Sequence, residues 1–286
     1  MLLKTVAAKI KTKLIAPDFD FKQSSKLRAC LEVSNTDMVT ALFTAKNELV
    51  YLQHYTFKPN EKINEVFDHL LHSEAFFSQG YASVYVSISN ALYTVIPSSL
   101  FQADDKEKWL AYNHVIGGDD IVLSDDINST DSKCVYAINQ KLKVLIDQTF
   151  PNNHIKHKST CITESLADVA SKTHKTCLVH VGTESFDVAL YEKKLLFFNT
   201  FEYQSTEDFL YFILASLEQN KLAVDETEIV LAGEIEAQSA LYDTLKEYFP
   251  KLKFAVHNKT IVLNNDFAKL PNHFYYSLFN LYLCAL

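Results

Sequence analysis

Glycine is scarce in this chain: 5 of 286 residues, at Gly80, Gly117, Gly118, Gly182 and Gly233. Neither a Walker A loop nor a G-x-G-x-x-G fingerprint can be assembled from these positions, which excludes two common glycine-rich phosphate cradles. Arginine is rarer still. Arg28 is the one arginine among 27 basic residues, in a chain of net charge −8. Arginine is the usual bidentate reader of phosphate and guanine, so nucleic acid is not an expected partner. The basic cluster Lys4, Lys9, Lys11 and Lys13 reads as a solvated tail or an edge strand rather than as a contact for an anionic surface.

Cysteines number five, an odd count, and none forms a C-x-x-C pair. This favours reduced thiols in a cytoplasmic setting over a disulfide framework or a zinc knuckle. Long apolar runs are missing too. No uncharged apolar stretch reaches about 18 residues, so no transmembrane segment is expected, and lysine interrupts the N-terminal apolar run where a secretory signal would lie. Residues 274–286 are apolar on nearly every side but too short to span a bilayer, and read as a buried terminal helix.

What is present is ordinary material for a packed core. Hydrophobic residues make up 48%, charged residues 22% and aromatics 13%, and the length suggests about two domains. The informative feature is an internal repeat. Residues 29–57 read ACLEVSNTDMVTALFTAKNELVYLQHYTF and residues 176–203 read TCLVHVGTESFDVALYEKKLLFFNTFEY. Each predicts an apolar strand, a short polar turn, a second strand, a tight hairpin and a third strand. Ala41-Leu42-Phe43 aligns with Ala189-Leu190-Tyr191. A helix follows in both halves: Ile63, Val66, Phe67, Leu70 and Leu71 form one apolar face, and Phe209, Ile213 and Leu217 form the other. A further strand comes next, over 82–86 and 228–231.

The first half then carries extra material. Strands are predicted over 92–97, 121–123 and 133–138, and helices over 104–114 and 140–150. A short strand over 154–158 and a helix over 163–172 lead to the second half. The second half continues with a helix over 236–248, a strand over 253–256 and the terminal helix. The unit strand-strand-strand-helix-strand-helix occurs twice, which predicts two α/β lobes with a cleft between them. Ligands of such folds sit at strand carboxyl ends and domain interfaces.

In the second half, His180 to Asp187 reads H-V-G-T-E-S-F-D and is followed by V-A-L-Y. This resembles the phosphate motif of the superfamily of actin, hexokinase and heat-shock chaperone ATPases, with Gly182 and Asp187 on matching positions. Ile229-Val230-Leu231-Ala232-Gly233 before a helix resembles that superfamily's adenosine motif, with Glu234 replacing its second glycine. In the first half, Glu32-Val33-Ser34-Asn35-Thr36 occupies the first phosphate-loop position. The extra unit, with a strand ending Ile96-Pro97, resembles the bacterial actin-like branch that includes the cell-division actin homologue and the type IV pilus actin-like protein. The resemblance runs from about Leu27 to the C-terminus. It implies a two-lobed actin-like (ribonuclease H-like) α/β fold: a duplicated β-β-β-α-β-α unit, an N-terminal lobe over 1–172 with a small α/β insertion at about 90–138, and a C-terminal lobe over 173–286.

The same resemblance implies a cofactor, ATP with magnesium, and site residues. Ser34, Thr36, Gly182, Thr183, Asp187, Gly233 and Glu234 would line nucleotide, while Glu32 and Asp187 are the catalytic candidates. The motifs depart from the active pattern, however. His180 stands where a second aspartate belongs, and magnesium prefers oxygen ligands to imidazole. Ser34 replaces a glycine, and a side chain there limits backbone approach. Glu184 and Glu234 replace glycines, and a carboxylate repels polyphosphate. The expectation is therefore a degenerate, non-catalytic scaffold or protein-interaction module, with a protein partner or a second copy of the chain and weak or no nucleotide binding. The alternative is an ATPase or a sugar or small-molecule kinase using the interlobe cleft.

Other constellations yield less. Gly117-Gly118-Asp119-Asp120 reads as a hairpin turn, Asp125-Asp126 as a turn, and Asp104-Asp105 as a helix N-terminus. His69 and His72 face solvent on a predicted helix with no third ligand, and no metal site is expected. Cys161 reads as a buried apolar residue rather than a nucleophile.

Overall fold

The computed structural model describes residues 8–170 and 175–286. The expected lobe boundary at 172/173 and Lys4 of the basic cluster lie outside the described residues. The first repeat comprises β2 (Arg28–Val33), β3 (Asp37–Phe43), β4 (Leu49–Thr56), α1 (Ile63–Ser73) and β5 (Ser83–Ile88), preceded by β1 (Lys9–Ile15). An inserted unit follows: β6 (Tyr93–Pro97), α2 (Lys106–Ala111), β7 (Asp120–Ile127) and β8 (Ser132–Asn139). The repeat then resumes with α3 (Gln140–Thr149), β9 (Asn153–His157) and α4 (Lys158–Val169). The second repeat is β10 (Lys175–Val181), β11 (Ser185–Glu192), β12 (Lys194–Glu202), α5 (Thr206–Gln219), β13 (Thr227–Gly233), α6 (Ala240–Tyr248), β14 (Leu252–Phe254) and α7 (Tyr276–Leu283).

The duplication is visible in the sheets. Sheet one has the order β1-β4-β3-β2-β5-β9 and sheet two β12-β11-β10-β13-β14. Apart from β1 the two orders are the same, with three antiparallel strands followed by parallel pairing of the last two. The repeat is thus longer than predicted, since each half adds one more parallel strand and one more helix. Backbone bonds at the strand ends also repeat. Ser34 N donates to Asp37 O at 2.9 Å, and Gly182 N to Ser185 O at 2.8 Å. Ser89 N donates to Val33 O, and Glu234 N to Val181 O, both at 2.8 Å.

Each sheet is covered on both faces. On sheet one, Val66, Phe67 and Leu70 of α1 and Leu142 and Ile146 of α3 join one core cluster, while Leu278, Phe279, Leu281 and Tyr282 of α7 join a second with Cys30, Ala41 and Phe43. On sheet two, Phe209, Ile213 and Leu217 of α5 and Leu245 of α6 cover one side. Ile162 and Leu166 of α4 pack with Leu178, Ala189 and Val230 on the other. Each such fully buried Leu, Ile or Phe contributes about 1.5–3 kcal/mol. The last helix of each repeat therefore packs on the sheet of the other repeat, and α4 and α7 also touch each other. The terminal apolar segment is a buried helix, as read from its composition: every residue of Tyr276–Tyr282 is buried.

The inserted unit is a three-stranded antiparallel sheet, β6-β8-β7, with Leu110 of α2 packed on Ile96, Val122 and Val135. Three readings need correction. Gly117 and Gly118 connect α2 to β7 rather than forming a hairpin, with Gly117 N donating to Asp120 Oδ2 at 3.0 Å. Asp125-Asp126 lies inside β7, not in a turn. Asp125 is buried there because the start of α4 supplies donors: His157 N at 2.7 Å and Thr160 Oγ1 at 2.8 Å. Finally, α4 begins at Lys158, five residues earlier than predicted. The polar run Lys158, Ser159, Thr160 and Thr163 imitates a loop, yet all four are buried, and His157 caps the helix by accepting from Ser159 N.

Candidate functional site: the interlobe cleft

The carboxyl ends of β2 and β10 face a shared cavity of about 500 Å³. Glu32, Ser34, Thr36, Gly182, Thr183, Gly233 and Glu234, all predicted from sequence, line it, as do His180 and Glu184. Asp187 does not. It sits behind the wall, with its side chain only 1% exposed.

The inner wall holds a buried ionic cluster. His180 and Asp187 are directly opposed in the β10–β11 ladder, which puts their side chains on one face. His180 Nδ1 lies 3.2 Å from Asp187 Oδ2. Lys158, at the start of α4, donates its ammonium to the same oxygen at 2.8 Å. Thr200 Oγ1 of β12 donates to Asp187 Oδ1 at 2.7 Å. Burial opposes ionisation of Asp187, but the Lys158 charge and the His180 hydrogen bond outweigh it and hold the carboxyl below its ordinary range. Glu32 behaves in the opposite way. Burial pushes its pKa up, and the attraction of Lys158 only partly offsets this. Its Oε1 accepts from Ser277 Oγ at 3.0 Å, while its buried Oε2 has no hydrogen-bond partner.

The outer part of the cleft carries a second network, which crosses between the lobes. His54 Nε2 of β4 lies 3.0 Å from Asp37 Oδ1, and His54 Nδ1 lies 3.5 Å from Glu234 Oε1. Lys11 of β1 pairs with Glu234 Oε2 at 2.7 Å. Thr183 Oγ1 donates to Asp37 Oδ1 at 3.2 Å and reaches Glu234 Oε2 at 3.4 Å. Burial raises the Asp37 carboxyl, but the His54 and Thr36 hydrogen bonds prevail and its pKa is lowered.

The turns themselves are closed by internal bonds. Ser34 Oγ accepts from Thr36 N at 3.2 Å and from Asp37 N at 2.8 Å. Gly233 N donates to His273 O at 2.8 Å and Glu234 N to Val181 O at 2.8 Å. Gly233 adopts φ +82°, and a Cβ there would sit 2.1 Å from the Val181 carbonyl oxygen. That backbone geometry alone requires glycine. Among the described residues no group of three or more His, Cys, Asp or Glu is arranged to hold a metal ion.

Sequence reasoning assembled the turns but missed Lys158, Asp37, His54, Lys11 and Ser277. Lys158 lay in a polar run that reads as loop. The spacing of Ser34 and Asp37 is the signature of a side-chain-closed turn and was the available signal for Asp37. The Lys9/Lys11/Lys13 alternation marked the edge strand but not the partner of Lys11. All five cysteines are free thiols, and among the described residues no helix is long and apolar enough to cross a membrane.

A structure from Bacteroides thetaiotaomicron, described as a protein with actin-like ATPase fold and unknown function, superposes with a TM-score of 0.75 at 20% identity. The match covers 88% of this chain and 97% of that one. The PilM–PilN type IV pilus biogenesis complex gives a TM-score of 0.60 at 12% identity, over 90% of this chain and 98% of the matched chain. These likenesses show the two-lobed actin-like α/β fold that the broken motifs implied. No curated protein matches in sequence. The profile of the family described as protein of unknown function DUF3822 matches residues 16–252, most of the chain, and the chain belongs to that family.

Proposed function

We propose that the protein is a degenerate actin-like module that acts as a non-catalytic scaffold or protein-interaction unit in the cytoplasm, with weak or no nucleotide binding. The observation that carries this reading is the state of the turns. In an active member, main-chain amides of glycine turns wrap the phosphates. Here the amides of Thr36, Asp37, Gly233 and Glu234 already donate within the protein. Glu184 and Glu234 add carboxylates to the cavity wall. The two nearby lysines are committed, Lys158 to Asp187 and Lys11 to Glu234.

Magnesium-ATP does not fit this set of groups. One carboxylate–phosphate charge pair at 4 Å opposes binding by about 4 kcal/mol at an effective dielectric constant of ~20. Micromolar affinity is worth only about 8 kcal/mol. Asp187, the candidate for orienting water or magnesium, has its oxygens taken up by Lys158, His180 and Thr200. A protein partner is supported by the pilus relative, whose structure is a complex of PilM with PilN. The scarcity of arginine and the net charge of −8 argue against nucleic acid.

Thermal unfolding with and without magnesium-ATP tests the reading, with calorimetric titration as the second readout. No shift in Tm and no heat of binding are expected. A saturable, dose-dependent rise in Tm would overturn the proposal in favour of an ATPase or kinase.

A further inference from the structure

The buried cluster at the inner end of the cleft leaves one group unfinished. The Glu32 carboxyl is buried there, with Oε1 accepting from Ser277 Oγ at 3.0 Å and Oε2 accepting from nothing. The nearby ammonium does not finish it, because Lys158 bonds to Asp187 at 2.8 Å. A buried oxygen without a donor is costly, and such an atom marks a place where a water, an ion or a ligand belongs. Glu32 lines the cavity of about 500 Å³, and the cavity is the side from which a donor can reach it.

The rest of the wall says which donor fits. Asp37, Glu184, Glu202 and Glu234 line the same cavity. Asp37 and Glu234 lie within reach of His54 and Thr183 at the mouth, while Glu184 and Glu202 are exposed. Among the described residues of the lining, Lys158 is the one lysine and no arginine occurs. A recess walled by carboxylates focuses a negative potential and draws cations. The carboxylates are not gathered for a metal ion, since no group of three or more suitable side chains converges among the described residues. They are spread from the buried end to the exposed rim instead. Apolar and aromatic surface lies on the same wall: Val39, Tyr275 and the stack of Phe201 on Phe212, with ring centroids 4.7 Å apart. Aromatic faces attract ammonium groups, and apolar lining accepts methylene chains. Carboxylates spaced along a partly apolar wall match ammonium groups spaced along a hydrocarbon chain.

We propose that the interlobe cleft binds a linear aliphatic polyamine. One ammonium donates to Glu32 Oε2, the methylenes lie against the apolar lining, and a further ammonium sits among the outer carboxylates. A lysine-bearing peptide would bring the same charged group together with a main chain that needs its own partners. The turn amides of Thr36, Asp37, Gly233 and Glu234 already donate within the protein, so the wall offers a main chain little, and a free polyamine asks for none of these amides. The inference rests on the reading that this cleft is closed to polyphosphate.

Calorimetric titration of the full chain with spermidine is the test, at physiological ionic strength, where loose surface association is screened. One saturable site per chain is expected, with a matching rise in Tm. Glu32→Gln keeps an acceptor for Ser277 and removes the charge; it should weaken binding about tenfold or more. Its melting curve without ligand shows that it is folded. Glu202→Gln, at an exposed position, should weaken binding by about threefold. Glu107→Gln removes the same charge from the exposed surface of α2 and should change nothing. The absence of a saturable heat with spermidine would overturn the proposal. So would equal effects of Glu32→Gln and Glu107→Gln, which mark diffuse attraction to an acidic chain. A lysine-rich peptide that binds where spermidine does not would overturn it in favour of a protein partner. A parallel titration with magnesium-ATP separates the two readings. If neither compound binds, the polyamine site alone falls; if magnesium-ATP binds, the closed cleft on which that site rests falls with it.

Discussion

Glu32 and His180 hold the same place in their repeats, one strand before the turn, each directly opposite a residue of the next strand. Glu32 faces Val39 and His180 faces Asp187. The backbones around them are equivalent down to individual hydrogen bonds, yet the two carboxyls are pushed in opposite directions, Glu32 up and Asp187 down. Burial acts on both. What separates them is who stands opposite and where the nearest ammonium points. Lys158 belongs in chain order to the first repeat, but α4 packs beneath sheet two, and the ammonium bonds to the second repeat's carboxylate. A duplicated backbone therefore does not duplicate a site. One cross-strand position and one exchanged helix decide in which direction each carboxyl's pKa moves.

The largest test of this contrast is Lys158→Met, which removes the cation and keeps most of the volume. Breaking one side of a buried pair leaves an uncompensated charge and costs about 3–5 kcal/mol. Urea unfolding at neutral pH should show a loss of that size. The pH dependence follows from the direction of the shift. The folded pKa of Asp187 lies below its ordinary value of 3.8. Its contribution is therefore present above that value and is lost as the pH falls through the depressed folded pKa. The gap between wild type and Lys158→Met should close in acid. An unchanged unfolding midpoint at pH 7 would mean that the lysine is not what holds Asp187 ionised.

Glu32→Gln should have the opposite sign and a smaller size. A folded pKa raised above the ordinary 4.5 gives stability that is full below that value and is lost as the pH rises through the folded pKa. The amide removes the charge that burial opposes and keeps an oxygen to accept from Ser277. Stability at neutral pH should rise, and the stretch of the pH–stability curve above 4.5 should flatten. A loss at neutral pH would show that Glu32 is held as an ion and that the contrast between the repeats is false.

The frame of this contrast was legible in the sequence, but its chemistry was not. The strand–turn–strand periodicity and the aligned Ala-Leu-aromatic triplets located both ladders and both turns, because alternation and turn residues are local signals. Glu32, Ser34, Gly182, Gly233 and Glu234 line the cleft, since strand ends in such a topology converge there. Lys158, His54 and Lys11 escaped because their roles depend on partners 29, 180 and 223 residues away (Asp187, Glu234 and Glu234). The early start of α4 escaped because its first turn is polar in composition and buried in fact. Gly233 was read as a remnant of nucleotide binding, while its φ and the nearby Val181 carbonyl give it a purely structural reason to persist.

The smallest expected effect separates the inner cluster from the outer one. Lys11 and Glu234 are joined at 2.7 Å, but their side chains are 44% and 27% exposed, against 8% and 1% for Lys158 and Asp187. An exposed pair is worth about 0–1 kcal/mol and is screened by salt. Lys11→Ala should therefore lower stability by less than about 1 kcal/mol in dilute buffer, and the difference should fade at high ionic strength. Combining it with Glu234→Gln in a double-mutant cycle isolates the coupling from any other role of either residue. If Lys11→Ala were as damaging as Lys158→Met, the lobes would be held together by the strand at the cleft mouth, and the buried cluster would lose its place as the stronger contact across the cleft. The solvent exposure of the outer pair argues for the smaller number, because water competes for both charges there and reaches neither Lys158 nor Asp187 freely.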